Sequence, residues 1–169
     1  METIWLGLGS NLGDRRSNLE KAVELLASQV GDGKLSGLWM SKARYVEDQP
    51  DFLNAVLKGS TSLGPRELLT FVNGIEKALG RDRSAYVAKG PRPIDIDILL
   101  YGSAIIAESD LIIPHPAMRE RKFVLLPLLQ LDPDLRDPVS GKSFASYLKG
   151  MPRQGIYPLS AGGYDAPYP

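Results

Sequence analysis

Asp95 and Asp97 sit in the run Gly90-Pro91-Arg92-Pro93-Ile94-Asp95-Ile96-Asp97-Ile98-Leu99-Leu100. Successive strand side chains alternate faces, so the two carboxylates share one face roughly 7 Å apart along the chain. Ile94, Ile96 and Ile98 then take the opposite, core-facing side. Two readings fit this pattern. The aspartates are the polar face of an edge strand, or they are ligands for a hard cation such as Mg²⁺, which carboxylate oxygens suit. Two such ions about 3.5–4 Å apart would serve a displacement at phosphorus.

The residues around the pair carry complementary chemistry. Between Arg81 and Arg92 stand Arg81, Arg83, Lys89 and Arg92 against one acid, Asp82. Such a run is either a solvated face or a phosphate clamp, since guanidinium groups bind phosphate in a bidentate way. His115, the single histidine, is held between Pro114 and Pro116, with Arg121 and Phe123 shortly after. It is an exposed turn residue or a donor to a phosphate oxygen. Phe52 and Asn54, two apart on an expected strand, share a face. They are ordinary core, or a ring and an amide that receive a flat heterocycle. Gly7-Leu8-Gly9-Ser10-Asn11-Leu12-Gly13 lacks the third glycine of a dinucleotide fingerprint and the Gly-Lys-Ser/Thr of a P-loop, and reads as a tight turn.

These side chains need a scaffold. Ile4–Leu8 reads as a first strand, followed by a helix with Leu19, Ala22, Val23 and Leu26 in one stripe, stopped at Gly31-Asp32-Gly33. Leu35–Met40 and Phe52–Gly59 read as strands joined by a polar loop over 41–51. Pro65 opens a second helix with Leu68, Val72, Ile75 and Leu79 in line, ended by Gly80; Gly74 inside it costs about 1 kcal/mol relative to Ala. The Asp-bearing strand follows the long Arg81–Pro93 loop, then a short strand near Leu111–Ile113 and an apolar segment over Phe123–Leu131. This order is that of a ferredoxin-like split βαβ α+β domain with an antiparallel-containing sheet and mobile loops at the site. Residues 1–150 form the expected domain, and 151–169, rich in Pro, Gly and Tyr, an irregular tail.

The chain has 169 residues, twenty basic and twenty acidic, and no cysteine. Its length suits one domain with a sizeable core. The balance of charge offers nothing global to nucleic acid or an anionic membrane, so a phosphate ligand must be met locally. Thiol catalysis and disulfides are excluded. No apolar run approaches the about 18 residues of a membrane span, and Met1-Glu2-Thr3-Ile4-Trp5 lacks the pattern of a signal peptide. The expectation is a cytoplasmic protein.

Taken in order, several motifs resemble the 6-hydroxymethyl-7,8-dihydropterin pyrophosphokinase family of folate biosynthesis. They are Gly7–Asp14; Asp48-Gln49-Pro50-Asp51-Phe52-Leu53-Asn54-Ala55; Gly80-Arg81-Asp82-Arg83; Gly90–Leu99; and Pro114-His115-Pro116-Ala117-Met118 with Arg121 and Phe123. The resemblance implies transfer of pyrophosphate from ATP to the pterin hydroxymethyl group, releasing AMP. It implies two Mg²⁺ ions on Asp95 and Asp97, and a pterin between Phe52 and Phe123 with Asn54 at its edge and Ser41 beside it. It implies ATP contacts from Glu76, Arg83, Arg92, Ile98, His115 and Arg121, with Arg81 and Arg92 assisting the chemistry. Partners would be these two small molecules alone, on a monomer, without nucleic acid or membrane. The chain departs from the family pattern at Lys89, where an aromatic is frequent, at Asn73, at Ser41-Lys42-Ala43-Arg44 and at Ile112. A different metal-dependent phosphoryl transferase, or a non-catalytic binding module of the same fold, are the competing readings.

Overall fold

The computed structural model describes residues 1–43, 48–81 and 90–159. Arg83, Lys89 and Arg44, singled out from the sequence, lie outside the described residues, as do 160–169 of the expected tail.

β1 (Glu2–Ser10) leads into α1 (Arg15–Leu26), then β2 (Gly31–Leu35), β3 (Trp39–Ser41) and β4 (Phe52–Thr61). α2 (Pro65–Ala78) and β5 (Asp95–Tyr101) follow, then the short hairpin β6 (Ile106–Ala107) and β7 (Ile112–Ile113), α3 (Lys122–Leu131) and β8 (Ile156–Pro158). The main sheet runs β5-β1-β4-β3-β8, with β2 also on β4, and every pairing is antiparallel. With β2 and β3 counted as one interrupted strand, this is the ferredoxin-like α+β order.

Local chemistry explains where the helices begin. Asp14 caps α1 by accepting from the Ser17 N–H at 3.0 Å. Pro65 occupies the first turn of α2, where a missing N–H costs nothing, and Glu67 reaches back to the Gly64 N–H at 2.7 Å. Leu19, Ala22 and Leu26 of α1 and Leu68, Val72 and Ile75 of α2 pack on Ile4, Leu6, Leu8, Ile96 and Ile98. The other sheet face carries Trp5, Val56, Leu99 and Leu100 against Val124, Leu125 and Leu128 of α3 and against Phe144. The central sheet is thus covered on both sides, and Ile94, Ile96 and Ile98 face the α1–α2 layer as their alternation requires.

Four expectations are corrected. β1 continues through Gly7, Gly9 and Ser10, so the first glycines are strand, not turn. Gly31-Asp32-Gly33 does not stop a helix: α1 ends at Leu26, and Gly31 and Asp32, the latter at φ 51°, open β2 on the flank of β4. The strand expected over 35–40 is split, Ser36 turning its hydroxyl to the Val56 N–H. Residues 156–158 are not irregular chain: they pair with β3.

Candidate active site

The site occupies the α3 face of the sheet where three strands lie side by side. Gly9 stands opposite Asn54 on one flank and Asp95 on the other; Gly7 stands opposite Val56 and Asp97. Directly opposed residues share a face, so Phe52 and Asn54 look across two bare glycines at the aspartates. A Cβ on Gly9 would lie 3.5 Å from Asn54 Oδ1 and 3.6 Å from the Phe52 ring. The missing side chains are the floor of a pocket, walled by Ser41, Phe52, Asn54, Arg92, Arg121 and Phe123. The roles of Gly7 and Gly9 escaped the sequence reading. Glycine in a strand does signal a close approach, but neighbouring glycines disguised it as a turn.

Asn54 is buried, and its Nδ2 donates to the Trp39 carbonyl at 3.1 Å and to Ser41 Oγ at 2.8 Å. That fixes its amide orientation and leaves Oδ1, to which no described residue donates, over Gly9. Both aromatic rings carry a guanidinium. Arg92 lies 5.4 Å from the Phe52 centroid and Arg121 5.6 Å from that of Phe123. The Nε of each arginine is buried and makes no hydrogen bond among the described residues, though Arg92 Nε stands 3.6 Å from Asp95 Oδ2. Such orphaned donors are what an anion would satisfy.

Beyond β5 a second, more polar cleft is lined by Leu69, Asn73, Glu76, Arg81, Ile98, Ile112 and His115. Asp95 and Asp97 line both cavities. Arg81 Nη1 bridges Glu76 Oε1 at 2.5 Å and Asp95 Oδ1 at 2.6 Å. Glu76, itself buried, also accepts from the Ile96 N–H at 2.7 Å, tying α2 to the free edge of β5. Burial, with the Asp95 charge next, raises the Asp97 carboxyl to about 7. A cation there would relieve both causes, and two carboxylates completed by phosphate oxygens are a usual donor set for Mg²⁺. The residues therefore fit the ion. No group of three or more His, Asp or Glu ligands occurs among the described residues, so the remaining positions would fall to substrate and water.

His115 is lowered to about 4 by burial and by the Arg121 charge, and is neutral near pH 7. The Ala117 N–H donates to its Nδ1 at 3.2 Å. The proton therefore resides on Nε2, which lies 3.8 Å from Asp97 Oδ2 and can donate to an oxygen in the polar cleft.

Sequence reasoning also gave no role to Asn11. Buried, it accepts from the Arg92 N–H at 2.9 Å through Oδ1 and donates through Nδ2 to Gln49 Oε1 and the Pro50 carbonyl. One side chain thus joins the first loop to the approaches of Arg92 and Phe52. The signal was available in its type: a buried Asn in a loop offers both donor and acceptor to backbone.

The arrangement can hold a flat heterocycle on one side of two carboxylates and a polyanion on the other. The 7,8-dihydro-6-hydroxymethylpterin-pyrophosphokinase family model matches residues 5–133. The chain is 46% identical over 94% of its length to the folic acid synthesis protein fol1 of Pneumocystis carinii, spanning 21% of that protein. It is 44% identical over 87% of its length to the 2-amino-4-hydroxy-6-hydroxymethyldihydropteridine pyrophosphokinase of Aquifex aeolicus, spanning 91% of it. Among solved structures, an HPPK-DHPS of Plasmodium falciparum with SDX-DHP superposes with a TM-score of 0.69 at 16% identity, over 88% of this chain and 43% of that one. An HPPK-DHPS in complex with substrates gives 0.73 at 14% identity, over 94% and 46%; these two likenesses speak to fold.

Proposed function

The chain belongs to the 7,8-dihydro-6-hydroxymethylpterin-pyrophosphokinase family, and we propose from that premise how its residues divide the transfer of pyrophosphate from ATP to the hydroxymethyl group of 6-hydroxymethyl-7,8-dihydropterin. One observation carries the division: Asp95 and Asp97 are the wall shared by an aromatic pocket and a polar cleft. The pterin lies on Gly7 and Gly9 between Phe52 and Phe123, with a ring N–H donating to Asn54 Oδ1. Ser41 holds the Asn54 amide in the orientation that leaves this oxygen free. ATP lies in the cleft beyond β5, its base near Leu69, Ile98 and Ile112 and its phosphates reaching Arg81, His115, Arg92 and Arg121. Glu76 acts on ATP through Arg81, which it holds. Arg83 completes the set by resemblance and lies outside the described residues.

The acceptor oxygen attacks the β-phosphorus in line. An oxygen–phosphorus bond forms, the bond from that phosphorus to the α,β-bridging oxygen breaks, and AMP leaves with the bridging oxygen; the acceptor proton is lost to solvent. Asp95 and Asp97 would hold two Mg²⁺ ions, which when bound would neutralise phosphate charge and make the acceptor hydroxyl more acidic. The protein's own part is positioning and preorganised charge, the main needs of phosphoryl transfer. His115 donates from Nε2 without carrying a charge, and the buried guanidinium N–H groups of Arg92 and Arg121 gain acceptors as negative charge arrives.

The lack of cysteine suits a reducing cytoplasm. Among the described residues no helix is long and apolar enough to cross a membrane. Incubation with ATP, Mg²⁺ and the hydroxymethyl-dihydropterin should yield AMP and the pterin diphosphate. Formation of ADP, or no AMP, overturns the assignment.

A further inference from the structure

We propose that the C-terminal segment, beyond the 5–133 family match, is a strap that sets the spacing of the two aromatic walls, with Gln154 and Tyr157 as its positioning residues. The proposal rests on reading the aromatic pocket as the acceptor's. Phe52 and Phe123 come from distant parts of the chain, and a ring sandwich works only at one separation. Segment 154–157 touches the approaches to both.

On one side, Gln154 brackets Arg121. Its Oε1 accepts from the Lys122 N–H at 3.0 Å, and its Nε2 donates to the Glu120 carbonyl at 2.8 Å. Lys122 opens α3, so its N–H has no partner within the helix, and no side chain of the preceding turn caps it. A side chain from the far C-terminal segment thus fixes the turn from which Arg121 and Phe123 project. On the other side, the Tyr157 hydroxyl donates to Asp51 Oδ2 at 3.3 Å. The Asp51 carbonyl accepts from Arg15 Nη1 at 2.7 Å, so the residue before Phe52 is held from two directions.

Between these contacts β8 runs antiparallel to β3, with Ile156 opposite Ser41 and Tyr157 opposite Met40. The Leu159 N–H donates to the Leu38 carbonyl at 2.7 Å. β3 is the strand whose Ser41 hydroxyl orients Asn54. One short strap therefore acts on Phe123 and Arg121 through Gln154, on Phe52 through Tyr157 and on Asn54 through β3. The asymmetry is the prediction: loosening the strap at Tyr157 harms the acceptor and spares ATP, whereas loosening it at Gln154, which also frees Arg121, harms the acceptor more than ATP.

Steady-state kinetics on the full chain test this with Gln154→Met, which keeps length and packing but removes both hydrogen bonds, and with Tyr157→Phe. Losing one or two such bonds should raise the acceptor KM by about three- to tenfold, with the ATP KM and kcat at saturation unchanged in Tyr157→Phe and the ATP KM raised less than the acceptor KM in Gln154→Met. Tyr147→Phe serves as the structural control. Its hydroxyl donates to Asp137 at 2.7 Å, in the same C-terminal region but away from the pocket, so it should lower the melting midpoint without moving either KM. If the ATP KM rises as much as the acceptor KM in Tyr157→Phe, or the acceptor KM rises in neither variant, the strap is not a positioning element. Direct binding of the pterin, read from its fluorescence, separates this from the assigned activity. A wild type that binds pterin but makes no AMP overturns the activity; equal pterin affinity in wild type and Gln154→Met overturns the strap.

Discussion

Asp97 carries its negative charge at a cost to the folded state, because burial and Asp95 together hold its proton up to about 7. An unfolded chain releases that proton near the ordinary carboxylate range. Between about pH 4 and 7 the folded state binds more protons than the unfolded, so this residue's effect is to lower stability as pH rises through that window. Asp97→Asn should therefore melt higher than wild type at pH 8 and show little difference at pH 4, while losing turnover. Equal gains at both pH values would contradict the assignment. Gly9→Ala tests the floor. The added Cβ would meet its neighbours at 3.5 Å or more, so the chain should fold normally, yet a flat ligand would lose its seat. Acceptor affinity should fall at least about tenfold with ATP affinity retained, measured by calorimetric titration. At this scale the sequence was eloquent about charge and silent about absence. Asp95, Asp97, Phe52 and Asn54 were legible because strand alternation gives each a face. The floor and the Asn11 junction were not, since both depend on which strands and loops lie side by side.

Helix stripes foretold α1 and α2, because each buries a single face, and Pro65 and Gly80 bracketed α2, whereas the glycines expected to end α1 belong to β2. The β2–β3 region was harder: β2 is exposed throughout, so no alternation marks it, and its glycines imitate a stop. Two glycines give opposite forecasts. Gly74 is exposed in the middle of α2 with nothing within 4 Å of an added Cβ, so Gly74→Ala should stabilise by about 0.5–1 kcal/mol. Gly59 lies in β4 beneath β2, and a Cβ there would fall 2.9 Å from the Gly31 carbonyl oxygen. Gly59→Ala should destabilise by about 2 kcal/mol or more, by driving β2 off the sheet. Urea denaturation of the two variants decides both, and a loss at Gly74 or none at Gly59 would refute the packing described. β8 was missed for a different reason: three residues of edge strand, one of them Pro158, leave no period to read.

Over the whole molecule, a chain with twenty charges of each sign sets Arg81, Arg92 and Arg121 around the two cavities and ties other charges into structure. Asp137, almost wholly buried, receives Arg119 at 2.7 and 2.8 Å, the Ser140 and Tyr147 hydroxyls and the Val139 N–H. Arg119 above all holds its carboxyl well below the usual carboxylate range. That stability is present at neutral pH and disappears as pH falls through the acid range. Arg119→Met should strand a buried carboxylate and cost about 3 kcal/mol at pH 7, with the AMP yield per folded molecule unchanged; chemical denaturation beside an activity assay would show otherwise. Away from this network, β1, an interior strand of the sheet, bears Gly7 and Gly9. A small-molecule inhibitor lying on that floor would rest on main chain, and main chain offers no side chain to trim. Any resistance substitution there must add atoms, and atoms that evict a flat inhibitor evict the natural acceptor with it.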